Sequence, residues 1–184
     1  MKVLIVGKPA CGKTSLVKEM CNRLYNSTVA YTTRPMREGE KNGKDYFFIS
    51  EDKFKQKKLE GFFAETSEYN TKFGIWYYGS SRESYKEDGY MASNPEAVKQ
   101  IRNAGIECIV VKLECSDETA QKRYVERGGD IEEFRRRLKT DADAIAGCHW
   151  DLCYNTDVLS TNALANFIEQ DVQMFKNVMF RKIR

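Results

Sequence analysis

At 184 residues, with 41% hydrophobic and 31% charged residues, the chain is long enough to bury one core without disulfides or a structural metal. Its 30 Lys and Arg against 27 Asp and Glu leave a formal charge of +3, which excludes a global field of the kind that drives non-specific binding to polymeric nucleic acid or membrane. Six cysteines without a Cys-x-x-Cys pair read as reduced thiols, and no apolar run reaches signal-peptide or membrane-span length, so the expectation is a soluble, untargeted, cytoplasmic protein.

The first element is the apolar run Val3-Leu4-Ile5-Val6, which predicts a strand buried on both faces at the centre of a parallel sheet. Leu16, Val17, Met20, Cys21 and Leu24 then recur at helical spacing, opposite Lys18, Glu19 and Arg23. The β-branched stretch Thr28 to Thr33 predicts a second strand that closes a βαβ unit, followed by a polar loop from Arg34 to Lys44. Aromatic runs at Tyr46 to Ile49, Phe62 to Ala64 and Phe73 to Tyr78, around a charged helix near Asp52 to Lys58, predict a small, mainly antiparallel sub-domain. Alternation then resumes with a strand at Tyr90 to Ala92, a helix at Pro95 to Asn103 and a strand at Ile106 to Leu113. A helix from about Asp117 to Glu126 follows, with Asp117 read as its N-cap. Beyond the break at Arg127 to Asp130 come a helix at Ile131 to Ile145, a short strand at Asp151 to Tyr154 and a helix at Thr161 to Phe180. The basic end Arg181, Lys182 and Arg184 reads as a solvated helix terminus. Such alternation argues an α/β protein with right-handed crossovers.

Chemistry is concentrated in Gly7-Lys8-Pro9-Ala10-Cys11-Gly12-Lys13-Thr14, a complete phosphate-binding loop between a buried strand and an amphipathic helix. Its glycines let the backbone wrap an anion, so that the amides of Gly7, Ala10, Cys11 and Gly12, then Lys13, Thr14 and Ser15, face the phosphates of ATP. Lys13 reaches the β- and γ-phosphates and the Thr14 hydroxyl serves Mg²⁺.

Thr32-Thr33-Arg34-Pro35-Met36-Arg37, followed by Gly43-Lys44-Asp45-Tyr46-Phe47-Phe48, resembles the acceptor-site signature of the guanylate kinase family, and the remaining motifs follow in that family's order along nearly the whole chain. The resemblance implies a P-loop NTPase three-layer fold with a central parallel sheet, an inserted acceptor-binding sub-domain at about 34–80, a core formed by 1–33 and 81–184, and a helical lid at about 127–137. Arg34 and Arg37 offer permanently charged, planar donors suited to the acceptor phosphate. By resemblance, Tyr46 and Tyr78 add hydroxyl donors to the same group, although a tyrosine in an aromatic run is by itself more often packing than ligand. Glu65 would accept from the N1–H and 2-amino group of guanine, with Ser80 close to the same base. Arg127 and Arg137 would close over the transferred phosphoryl group, Arg135 and Arg136 being on another helical face, and Asn155 would touch the donor adenine.

Two stretches depart from the family pattern. Tyr90-Met91-Ala92-Ser93-Asn94 carries no carboxylate where the family has an Asp-x-Asp, leaving Asn94 to touch the base; Ala30 replaces a serine, and the segment from Glu65 to Tyr78, around Glu68 to Lys72, is long. The expectation is therefore ATP-dependent phosphorylation of GMP or dGMP. A shifted base preference, a catalytically weak binding module of the same fold and a P-loop enzyme for another small molecule stay open, and the oligomeric state is not legible.

Overall fold

The computed structural model describes residues 1–26, 28–71 and 73–181; Lys72, Lys182 and Arg184 lie outside them. Two four-stranded sheets organise the chain. The first contains β1 (Lys2–Val6), β6 (Gly89–Ala92), β7 (Cys108–Glu114) and β8 (Leu152–Asn155), all parallel and ordered β6-β1-β7-β8. All five residues of β1 are buried, as expected for a strand covered on both faces.

Helices supply the two outer layers. On one face, α1 (Lys13–Asn22) contributes Leu16 and Met20, α4 (Asp117–Glu126) contributes Ala120 and Tyr124, α5 (Ile131–Ala146) contributes Phe134, and α6 (Thr161–Arg181) contributes Leu164, Ala165, Ile168 and Val172. On the other, Val98 and Ile101 of α3 (Pro95–Asn103) pack with Leu4, Val6, Met91 and Val110. Local sequence sets where these helices start: Pro95 occupies the first turn of α3, whose missing N–H costs nothing there, and Asn94 caps it by accepting from the Ala97 N–H at 3.0 Å.

The second sheet, ordered β3-β2-β5-β4, contains β2 (Tyr31–Thr32), β3 (Phe47–Phe48), β4 (Phe63–Thr71) and β5 (Gly74–Ser81), flanked by α2 (Glu51–Leu59). Its pairing is antiparallel except between β2 and β3. Two expectations are corrected here. The stretch Thr28 to Thr33 does not close a βαβ unit: the chain touches β6 through Asn26 and Thr28, then leaves, and Tyr31 and Thr32 join the second sheet. Tyr31 decides this by packing its ring on Phe47, Phe62 and Phe63 at centroid distances of 4.7, 5.3 and 5.6 Å, contacts that the parallel sheet does not offer. The N-cap of α4 is Ser116, whose Oγ accepts from the Thr119 N–H at 3.1 Å; Asp117 is the first helical residue and instead binds Lys8. No described helix is long and apolar enough to cross a membrane.

Candidate active site

The phosphate loop joins the end of β1 to the start of α1, and its shape depends on glycine. Gly7 has φ +144°, and a Cβ there would sit 2.2 Å from the Leu113 carbonyl oxygen and 2.7 Å from the Cys11 Sγ, so the loop passes β7 at a distance only glycine allows. Gly12 caps α1 with φ +101°, the first turn of that helix carries no acidic residue, and the Thr14 and Ser15 side chains are exposed at its positive end. Lys13 folds back along the loop, its Nζ donating to the Gly7 and Lys8 carbonyls at 2.6 and 2.8 Å. Burial, and secondarily the nearby Arg137 and Arg127, push the Lys13 ammonium below its ordinary range, with Cys11 and Asp141 opposing. An anion placed there would relieve this crowding of like charge. Cys11 itself is fully buried beneath the loop.

Those cations come from three elements. Arg127 follows α4 and lays its guanidinium over the Tyr124 ring at 4.8 Å. Protein crowding, then Arg37, then Arg137 depress its pKa, although the side chain keeps exposed surface. Arg137 lies on α5, 3.5 Å from Asp141, and its Nε is buried without a hydrogen-bond partner. Arg136 is committed to Glu133 through two 2.8 Å bonds, and Arg135 is exposed. The helix therefore turns Arg137 toward the loop and its two neighbours away.

In the turn after β2, Arg34 is 4% exposed, bound to Glu40 at 2.7 Å and to the Pro35 carbonyl at 2.7 Å, with its guanidinium 5.5 Å from the ring centres of Tyr46 and Phe48. Arg37 is exposed, and its backbone N–H donates to the second oxygen of Glu40. Glu40 thus folds the Arg34 to Glu40 turn. Tyr46 meets Tyr78 edge-on at 5.9 Å, and burial, followed by Tyr78, pushes the Tyr46 phenol up to about 12, so it stays a neutral donor near neutral pH.

Glu65 stands inside β4 beside a register shift, 6% exposed, opposite Ser80 of β5. Burial raises its carboxyl from an ordinary 4.5 to about 7; the Ser80 side chain and backbone N–H, and the neighbouring Tyr85, only partly offset this. The Tyr85 hydroxyl is buried close by without completing a hydrogen bond of proper geometry. Ser80 Oγ contacts Met91 Sδ at 3.4 Å. Asn94 spends its oxygen on the α3 cap and one amide N–H on Ser67 Oγ at 3.0 Å, which leaves its second amide N–H for a ligand.

Behind the loop lies a cleft of about 540 Å³ whose lining includes Lys8, Leu138, Ile145 and Asn155. Asn155 accepts there from the Asp157 N–H at 2.7 Å. Sequence reasoning missed the brace beside it. Thr156 donates to the Cys11 carbonyl at 3.1 Å, while Arg123 grips the Thr156 hydroxyl and carbonyl at 3.0 and 2.8 Å. No local pattern marks a contact between residues 11, 123 and 156.

The phosphate loop thus has Arg127 and Arg137 beside its Lys13, while Arg34, Tyr46, Glu65 and Tyr78 gather in and beside the second sheet. That arrangement is a P-loop nucleoside-monophosphate kinase, a phosphotransferase. The guanylate kinase family model matches residues 1–171, and the chain belongs to that family. It is 30% identical to the guanylate kinase of Oleidesulfovibrio alaskensis over 87% of this chain and 80% of that one, and 35% identical to that of Legionella pneumophila strain Paris over 82% and 75%. Among solved structures, the guanylate kinase of Anaplasma phagocytophilum superposes with a TM-score of 0.70 over 94% of this chain and 84% of that one, at 20% identity. The YorR protein of Bacillus subtilis, solved in complex with phosphorylated GDP, does so at 0.56 over 96% and 98%, with 15% identity. Likeness at these identities concerns the fold alone.

Proposed function

We propose that the protein transfers the γ-phosphoryl group of ATP to GMP or dGMP, with Lys13, Arg34, Arg127 and Arg137 acting on the phosphates and Glu65 selecting the base. The observation that carries this reading is the proximity of Lys13, Arg127 and Arg137 at the head of the loop, where both arginines lower the Lys13 pKa, Arg137 also lowers that of Arg127, and the buried Arg137 Nε has no hydrogen-bond partner. Such a cluster is stable once an anion enters it.

The loop amides and Lys13 would hold the donor phosphates, and the cleft beside Asn155 the donor base. Arg34, Arg37, Tyr46 and Tyr78 would hold the acceptor phosphate, with Glu40 bracing both the Arg34 guanidinium and the Arg37 backbone N–H. The acceptor phosphate is already ionised, so no general base is needed and catalysis rests on positioning and charge neutralisation. The exposed Thr14 hydroxyl fits a Mg²⁺ held mainly by phosphates and water. When bound, Mg²⁺ would neutralise charge on the donor phosphates. We take 34–80 and 127–137 as the units that close over the two nucleotides.

Glu65 and Ser80 would carry most of the base selection, with the second amide N–H of Asn94 as a further donor to the base. A carboxylate pairs with the two adjacent donors of guanine and meets an acceptor at N1 of adenine. Assay of ATP·Mg²⁺ with GMP, dGMP, AMP, CMP, UMP and dTMP tests this: GMP and dGMP are turned over first. Turnover of none refutes the kinase, and preference for another base refutes the role of Glu65.

A further inference from the structure

Contact between the acceptor hairpin and the lid runs through Tyr69. From Glu65 onward the strand alternation places Glu65, Ser67 and Tyr69 on one face of β4. The strand that carries the base-selecting carboxylate therefore also carries, four residues on, a ring that meets the lid. The Arg137 guanidinium lies over that ring, 5.4 Å from its centre. The ring in turn packs edge-on against Tyr78 at 5.4 Å and 85°, and Tyr78 meets Tyr46, above which Arg34 lies. A continuous row thus runs from the lid arginine, through three tyrosines, to the arginine of the acceptor turn.

Resting on the kinase reading above, we propose that Tyr69 is a positioning residue for phosphoryl transfer. Its ring holds the Arg137 guanidinium in place beside Lys13 and couples the lid to the aromatic wall of the acceptor site. The ring suits this task for a chemical reason. A carboxylate partner would neutralise the guanidinium and compete with a phosphate oxygen for its N–H groups, whereas an aromatic face attracts the cation and leaves those donors unspent. Asp141, one turn along the same helix, meets Arg137 at 3.5 Å, and the Nε remains unpaired. The long β4–β5 hairpin places the ring where it can do this, since Tyr69 pairs across to Trp76 well beyond the Glu65–Ser80 pair.

The test is steady-state kinetics with ATP·Mg²⁺ and GMP on the full chain, for Tyr69→Phe, Tyr69→Leu, Arg137→Lys and the double variant Tyr69→Leu/Arg137→Lys. Tyr69→Phe keeps the ring and retains kcat within about twofold. Tyr69→Leu lowers kcat about tenfold and raises the KM for GMP no more than about twofold, because Glu65 and Arg37 keep their places and Tyr78 loses only one packing neighbour. The double variant is no slower than Arg137→Lys alone, since both changes remove one function. Thermal melts accompany each variant; should Tyr69→Leu fail to fold, Tyr69→Met takes its place with the same expected values. Wild-type kcat in Tyr69→Leu, multiplying losses in the double variant, or a raised KM for GMP with kcat intact each overturn the proposal while leaving the kinase in place. Absence of turnover in the wild type is a different outcome and sinks the kinase reading with it.

Discussion

Glu65 offers a test in which charge, base recognition and stability move together. Its carboxyl is buried with hydroxyls and no cation at hand, and the rise from 4.5 to about 7 amounts to about 3 kcal/mol of preference for the protonated form. In the proposed role only the charged form accepts from both guanine donors, so GMP would bind the carboxylate and displace a proton below about pH 7. The KM for GMP should be level above that pH and rise about tenfold per unit beneath it, reaching about thirtyfold at pH 5.5. The phosphate of GMP also titrates near pH 6, so the assay compares wild type with Glu65→Gln from pH 5.5 to 8.5 at saturating ATP·Mg²⁺; the ratio of their kcat/KM values cancels the substrate's own ionisation. At pH 8 the variant should be weaker by about 1–3 kcal/mol. That gap should narrow toward pH 5.5. Stability runs the other way: the folded value lies above the unfolded one, so the folded protein holds more protons between pH 4.5 and 7 and loses stability as pH rises through that window. Glu65→Gln should therefore gain in melting temperature relative to wild type as pH rises. A ratio of kcat/KM independent of pH would refute the reasoning.

Three further outcomes follow from particular contacts. Thr156→Val removes the donor to the Cys11 carbonyl and the acceptor for Arg123, and should raise the KM for ATP about thirtyfold while leaving that for GMP unchanged, at about 1 kcal/mol for each of the two bonds lost. Gly7→Ala drives a methyl into the Leu113 carbonyl at a positive φ, and should destabilise by about 3 kcal/mol or more, read from chemical denaturation; a loss below 1 kcal/mol would mean that the loop can move off β7. Glu40→Gln strips the buried Arg34 of its charged partner and should cost about 2 kcal/mol, or about 4–8 °C in melting temperature. Although burial works against its charge, Arg34 and the Arg37 N–H hold the Glu40 carboxyl below 4.5, so the stabilisation it provides is present above that pH and fades as Glu40 protonates beneath it.

What could be read from the chain alone was whatever its neighbours in sequence determine. The buried strand, the phosphate loop and the amphipathic helix after it are consecutive, and their chemistry follows from glycine freedom and helix-end amides within eight residues. Helical spacing was also enough to separate Arg137 from Arg135 and Arg136. Which of those faces would meet the loop depended on how α5 packs through Phe134. Tyr31 and Thr32 show the limit clearly: a β-branched, aromatic stretch suits either sheet, and the choice was made by Phe47, Phe62 and Phe63, distant in sequence from β1. Ser116 and Asp117 are both good caps, and the extended backbone at Ser116 together with the pull of Lys8 on Asp117 settled the register. Glu65 was marked in sequence by its place after the apolar run Phe62 to Ala64. Its raised pKa was not, because that comes from burial beside Ser80 and Tyr85 with no cation to offset it. The Arg123 to Thr156 to Cys11 brace and the Tyr69 to Arg137 contact leave no trace in sequence, since each joins side chains from elements that only packing brings together.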